Sequence, residues 1–164
     1  MTPKAPKLRI GHGFDTHRLE AGEGVTLGGV FIACPYRLIA HSDGDVLIHA
    51  LCDALLGAIA AGDIGKLFPD TDPQFKGADS RRLLAVVMER VSAAGYAPLN
   101  ADLTLIAEVP RVAKHVPAMR EALGAVMGLE LDAINVKATT NETMGHIGRR
   151  EGIAAHAVVL LAGV

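Results

Sequence analysis

The sequence predicts an α+β domain: one mixed sheet of four main strands, a small separate hairpin, and helices packed mainly on one face. Two patterns point there. The apolar period switches repeatedly between two and about 3.6 residues, and the order of elements mixes hairpins with βαβ-like passages. Size adds a third constraint, because 164 residues fit one domain able to bury about 70% of the surface of its unfolded chain. Residues 1–164 are therefore read as a single domain, with 1–7 and 162–164 as peripheral tails.

Taken in order, Leu8 to Phe14 reads as a short strand ending in a Gly-rich bend. Val25 to Leu27 and Val30 to Ala33 read as a hairpin across Gly28-Gly29, since two glycines suit the primed turns. From Asp45 to Ala61, Val46, Ile48, Leu51, Leu55 and Ile59 recur at helical spacing. Ser42 or Asp43 is the expected cap there, and Asp45 a favourable first-turn charge. Asp63 to Gly77 holds two Pro, two Gly and three Asp and reads as loop. Asp79-Ser80 then caps a helix striped by Leu83, Leu84, Val87, Met88 and Val91, which Gly95 ends. Leu99 to Ala107 alternates through Leu99, Ala101, Leu103 and Leu105, a strand with one buried face that Pro110 closes. Val116 to Met127 is a helix with Pro117 in its first turn and Gly128 as terminator. Ile134 to Thr140 and Ile153 to Leu161 complete the set as strands.

Composition narrows the function classes. The net charge of −2 supplies no field that would draw the chain to nucleic acid or anionic lipid, so any nucleotide contact is local. A mean hydropathy of +0.31 is high for a monomer of this size and hints at apolar surface covered by other subunits. Cys34 and Cys52 are too few for a disulfide scaffold, and a reducing cytoplasm is the default compartment. The most apolar stretch, Val46 to Gly62, is interrupted by His49 and Asp53 and falls short of the ~20 residues that span a bilayer. Met1 to Lys7 shows no secretory pattern.

Four segments carry chemistry. Asp15 and His17, two apart in an extended segment, project to one side and can offer an oxygen and a nitrogen to a single cation. Taken alone, they read instead as a turn carboxylate bonding nearby amides beside an exposed histidine. His41-Ser42-Asp43-Gly44-Asp45 leads into His49, which lies among apolar residues and so faces inward or toward a partner. It reads either as a core histidine with its hydrogen bonds satisfied or as a ligand, with Asp53 one turn on as the carboxylate that holds its far nitrogen. Asp15, His17 and His49 together would leave one coordination position vacant, as catalytic zinc requires. The loop Gly62 to Asp72 resembles neither a P-loop nor an EF-hand. Lys137 to Glu142, followed by Gly145, Gly148 and Gly152 with Arg149 nearby, is either a flexible charged loop or a phosphate cradle. In the second case Glu142 would take a second hard cation.

Gly11-His12-Gly13-Phe14-Asp15-Thr16-His17, His41 to Asp45, Gly62 to Pro73 and Lys137 to Ala155 resemble, in order and spacing, the family of 2-C-methyl-D-erythritol 2,4-cyclodiphosphate synthases. The likeness runs from Leu8 to Leu161. It implies a homotrimer, sheets toward the threefold axis, with active sites between subunits. The implied reaction cyclises 4-diphosphocytidyl-2-C-methyl-D-erythritol 2-phosphate and releases CMP, a step of non-mevalonate isoprenoid synthesis. The resemblance makes Asp15, His17 and His49 ligands of one Zn2+ per subunit, and gives Glu142 an Mg2+ or Mn2+ bound with the substrate diphosphate. It places His41, Ser42, Thr140 and Glu142 at the chemistry. Asp63, Ile64, Gly65, Phe68, Pro69, Asp70, Thr71 and Asp72 would take the ribose and the methylerythritol diol. The cytidine and phosphate pocket would be Ala107 with Pro110, Arg111, Val112 and Ala113, together with Thr139, Thr140 and Asn141. His146 and Arg149 would face a central cavity for an isoprenoid diphosphate, although His146 stands where relatives often have an aromatic residue. Arg111 replaces a frequent Lys, and Asn141 a frequent Thr. Two rival readings are a mononuclear zinc phosphohydrolase and a trimer that only binds isoprenoid diphosphates.

Overall fold

The computed structural model describes residues 7–164, so Met1 to Pro6 of the expected tail lie outside the described residues. Strand β1 (Leu8–Ala21) leads into a hairpin of β2 (Gly24–Leu27) and β3 (Val30–Ala33), then β4 (Tyr36–Ile39). Helix α1 (Val46–Ala58), the short α2 (Ile64–Leu67) and α3 (Ser80–Ala93) precede β5 (Tyr96–Ile106). The chain closes with α4 (Val116–Met127), β6 (Ile134–Thr139), a single turn α5 (Gly145–Gly148) and β7 (Gly152–Gly163). The main sheet has five strands in the order β4-β1-β7-β5-β6, with only β5 and β6 parallel, and β2-β3 form a separate pair.

The fifth strand corrects the four-stranded expectation. β4 is four residues long and pairs its edge with the far half of β1, Arg18 opposite Ile39 through Ala21 opposite Tyr36. So short a run has no periodicity of its own to read. β1 likewise runs to Ala21 rather than bending at Phe14, because Gly11 and Gly13 sit inside the strand where helix α1 presses on it. A Cβ built on Gly11 would lie 1.8 Å from the Ala54 carbonyl oxygen, and one on Gly13 would lie 1.8 Å from that of Ala50.

Helix α1 is the centre of the core, buried on nearly every side by β1, β7 and α3, and so lacks the polar face of a surface helix. Its cap is Asp45 and not Ser42 or Asp43. The Asp45 carboxylate is fully buried and accepts from Ile48 N (3.1 Å), Gly28 N (2.9 Å) and Gly29 N (2.8 Å), which ties the hairpin turn to the helix start. Burial, reinforced by the nearby charge of Asp43, pushes its pKa up to about 6 against the pull of those three donors. Asp79 caps α3 by accepting from Arg81 N, and Gly128 ends α4 in the left-handed region at φ 67°.

Leu99, expected inside, is exposed because the register of β5 against β7 slips between Pro98 and Asn100 and turns it out. Ala101, Leu103 and Leu105 do face the core. Helices cover one face of the sheet. On the other, Ile10, His12, Phe14, His156 and Val158 are exposed in one band along β1 and β7. Among the described residues, no helix is long and apolar enough to cross a membrane.

Candidate active site

Strand alternation puts Gly11, Gly13, Asp15 and His17 on the helix side of β1. The two glycines let α1 approach to backbone contact, and His49 stands on α1 beside Ala50, the residue that touches Gly13. Close packing thus delivers the helix histidine to the strand pair. His17 Nε2 lies 2.9 Å from Asp15 Oδ2, His49 Nδ1 lies 3.1 Å from the same oxygen, and the two ring nitrogens are 3.2 Å apart. The donors around a tetrahedral zinc with ~2.0–2.1 Å bonds stand about 3.3 Å apart, so this triangle fits such an ion with shifts of a few tenths of an ångström. Two imidazoles and one carboxylate are a nitrogen-and-oxygen donor set that suits a divalent transition-metal ion.

The local electrostatics agree. Burial raises the Asp15 pKa, but hydrogen bonds from His17 and His49 and the charge they carry outweigh it and hold the carboxyl below its ordinary value. Burial likewise depresses His49, and the Asp15 contact overrides it, leaving the imidazole raised. An ionised carboxylate between two imidazoles thus favours a positive charge there, whether a proton or a metal ion.

Asp53 does not reach His49. Its carboxylate accepts from Ile64 N at 2.8 Å and so anchors the start of α2, while His49 Nε2 faces the hydroxyls of Ser42 and Ser80, each at 3.1 Å. An aspartate one turn along α1 points toward the following loop, whereas Ser80 arrives from the start of α3, 31 residues away in sequence.

The triad opens on a cleft of about 410 Å³ that also receives Ala40, His41, Ser42, Ile64, Gly65, Phe68, Asp70, Phe75 and Leu83. The Asp63 to Gly77 segment is not plain loop: it forms α2 and a 3-10 turn at Pro73–Phe75, and Phe68 meets Phe75 edge-on at 5.0 Å to wall the cleft. Asp63, Pro69, Thr71 and Asp72 are absent from the lining. Asp63 caps α2 through Lys66 N, and Asp72 caps the 3-10 turn through Gln74 N while its carbonyl accepts from His41 Nε2 at 3.3 Å. Ala40, Phe75 and Leu83 went unforeseen, as did Ser80, since small and apolar residues on other elements carry no chemical signal.

A second cleft of about 200 Å³ gathers Ala107, Pro110, Arg111, Val112, Ala113, Thr139 and Thr140, and it shares no lining residue with the first. Asn141, Glu142 and Thr143 turn beside it, with Glu142 and Thr143 at φ 52° and 59°. Glu108 also lines this cleft and holds that turn by accepting from Asn141 N and Thr143 N at 3.1 and 3.0 Å. Glu142 stands outside the Asp15, His17 and His49 group within the chain. His146 lines a third hollow with Thr16, His17, Arg18, Glu151 and Gly152, and Arg149 lies 3.7 Å from Glu151.

Known proteins share the sequence and fold of this chain. It is 61% identical to the 2-C-methyl-D-erythritol 2,4-cyclodiphosphate synthase of Ectopseudomonas mendocina over 154 residues, 94% of this chain and 98% of the relative. The corresponding synthase of Stutzerimonas stutzeri is 60% identical over the same shares. Among solved structures, a CDP-bound 2C-methyl-D-erythritol-2,4-cyclodiphosphate synthase superposes with a TM-score of 0.86 at 43% identity, covering 93% of this chain and 99% of that one. The Plasmodium falciparum IspF CDP complex gives 0.85 at 31% identity, covering 98% and 99%. The bifunctional IspDF of Campylobacter jejuni gives 0.93 at 41% identity; this chain covers 43% of it, and 98% of this chain is matched. Fold and relatives together define an enzyme of the lyase type. The model of the YgbB family matches residues 8–162, and the chain belongs to that family.

Proposed function

We propose that the chain cyclises 4-diphosphocytidyl-2-C-methyl-D-erythritol 2-phosphate to 2-C-methyl-D-erythritol 2,4-cyclodiphosphate and releases CMP, as a cytoplasmic homotrimer of non-mevalonate isoprenoid synthesis. The observation that carries this reading is the convergence of Asp15, His17 and His49 at the mouth of a cleft, in a chain 61% identical to a synthase of that name. An oxygen of the 2-phosphate attacks the β-phosphorus, the P–O bond to CMP breaks, and CMP leaves with the electron pair. Nucleophile and electrophile belong to one molecule, so holding the folded conformer contributes much of the rate and no protein nucleophile is needed. A zinc ion held by Asp15, His17 and His49, with Mg2+ or Mn2+ held by Glu142, would supply the positive charge that two crowded phosphates require.

The protein's own groups orient the substrate. His41 and Ser42 contact it beside the triad, and Asp63 to Asp72 enclose the ribose and diol, with Phe68 and Asp70 facing the cleft. Arg111, Thr139 and Thr140 receive cytidine and phosphate in the second cleft, with Asn141 beside it. Two clefts with separate linings are what a site shared between subunits needs. The band of Ile10, Phe14 and Val158 on the uncovered sheet face, 74%, 48% and 40% exposed, is the apolar surface a trimer would bury. An isoprenoid diphosphate would enter the central cavity beside His146 and Arg149.

Phosphorus NMR with the cytidine diphosphate substrate tests the reading. Wild type yields the cyclic product, and His49→Ala loses zinc and turnover while remaining assembled. Unchanged turnover in His49→Ala defeats the ligand assignment, and a linear product from wild type makes the chain a phosphohydrolase.

A further inference from the structure

Ser80 is fully buried, yet α3 does not need its hydroxyl, because the helix start is already capped by Asp79. Its surroundings account for it instead. Asp43 reaches across from the segment before α1, with Oδ2 accepting from Ser80 N at 2.9 Å and Oδ1 accepting both from the Ser80 hydroxyl and from Asp45 N, the latter at 3.1 Å. A carboxylate only accepts, so the Ser80 hydroxyl must donate to it. The Ser80 oxygen then presents only lone pairs to His49 Nε2, 3.1 Å away. Two lone pairs cannot face each other at that distance without repulsion, so Nε2 must carry the hydrogen. In the neutral ring Nδ1 then turns its lone pair on Asp15 Oδ2, 3.1 Å away, and on His17 Nε2, 3.2 Å away, a facing of acceptors that a metal ion between the three atoms relieves.

We propose that Ser80, oriented by Asp43, is a positioning residue that sets the His49 tautomer, so that Nδ1 is the donor offered to a metal ion. Ser42 also lies 3.1 Å from Nε2, but it lines the cleft, where a bound molecule competes for its hydroxyl, whereas Ser80 lies behind the ring. The inference rests on the reading of Asp15, His17 and His49 as a metal site. Losing the second partner of a metal-bound imidazole weakens metal binding by about 10–100-fold in comparable sites.

The test uses the full chain as wild type, Ser80→Ala and Ser80→Thr. Zinc affinity is measured by chelator competition, and the His49 tautomer by nitrogen-15 NMR of the zinc-loaded chain, in which a metal ion rather than a proton stands between Nδ1 and Asp15. Wild type should show Nε2–H. Ser80→Ala should bind zinc about 10–100-fold more weakly with a mixed tautomer, and Ser80→Thr, which keeps the hydroxyl, should recover most of both. Wild-type zinc affinity and an unmixed Nε2–H tautomer in Ser80→Ala overturn the proposal. If wild type binds zinc but His49 carries its hydrogen on Nδ1, the proposal fails and the metal site stands. If wild type binds no zinc, the metal reading fails and the proposal falls with it.

Discussion

Replacing Gly13 by Ala places one methyl group where β1 and α1 touch, and the consequences can be worked out from distances. The new Cβ would lie 1.8 Å from Ala50 O and 2.8 Å from both Ala50 C and Ala54 N, all backbone atoms that cannot swing aside. Ordinary contact begins near 3.4 Å, so helix and strand must separate by ~1.6 Å, an overpacking that costs about 1–3 kcal/mol. His49 travels with the helix while Asp15 and His17 stay with the strand. Their 3.1 and 3.2 Å separations from His49 Nδ1 would open beyond ~4.5 Å, more than two ~2.0–2.1 Å zinc bonds can span. Gly13→Ala should therefore lower zinc affinity more than about 100-fold, beyond the loss of an outer partner alone, and lower the unfolding midpoint. Chelator competition and urea denaturation measure the two effects. Gly57→Ala, in the same helix with nothing within 4 Å of its added Cβ, is the control and should stabilise by about 0.5–1 kcal/mol. Gly13→Ala protein with wild-type zinc affinity and midpoint would refute the packing argument.

Asp45 should leave a mark on the pH dependence of stability. Its folded pKa of about 6 exceeds the reference 3.8, so between those values the folded state binds more protons than the unfolded one. Its contribution is therefore greatest below about pH 4 and falls as pH rises toward 6, by up to ~3 kcal/mol. Urea midpoints of Asp45→Asn should lack that fall, and parallel pH profiles for the two proteins would exclude it. Asp79 acts in the opposite sense: the Arg81 side-chain bond leads its causes and holds it below 3.8, so its smaller contribution is present at neutral pH and lost on acidification. Cys52 is fully buried, and burial pushes its thiol well above the ordinary value. Ellman's reagent should label it only after denaturant is added, and rapid labelling in the native protein would contradict its placement.

Period and punctuation made most elements legible. Helices α3 and α4 match their expected spans closely because each pairs an apolar stripe with a cap or terminator, Asp79 before one and Gly128 after the other. The Gly28-Gly29 hairpin was readable for the same reason, both glycines adopting positive φ. What misled were residues whose role depends on a distant neighbour. Gly11 and Gly13 look like a bend until a helix is laid across them, and Leu99 belongs to the alternation until the register slips beside it.

The candidate site divides along the same line. Taken by themselves, Asp15, His17 and His49 each kept a structural reading in the sequence, and the resemblance to the cyclodiphosphate synthases made them a ligand set and marked out the segments around them. Only the tertiary structure decided that one helix nitrogen meets two strand donors within 3.2 Å, that Asp53 serves α2 instead, and that Ser80 and Asp43 stand behind the ring. The reason is physical: residue type and local period are properties of a segment. Which nitrogen faces which oxygen is set by how closely two backbones pack, and that distance is written in no single stretch of chain.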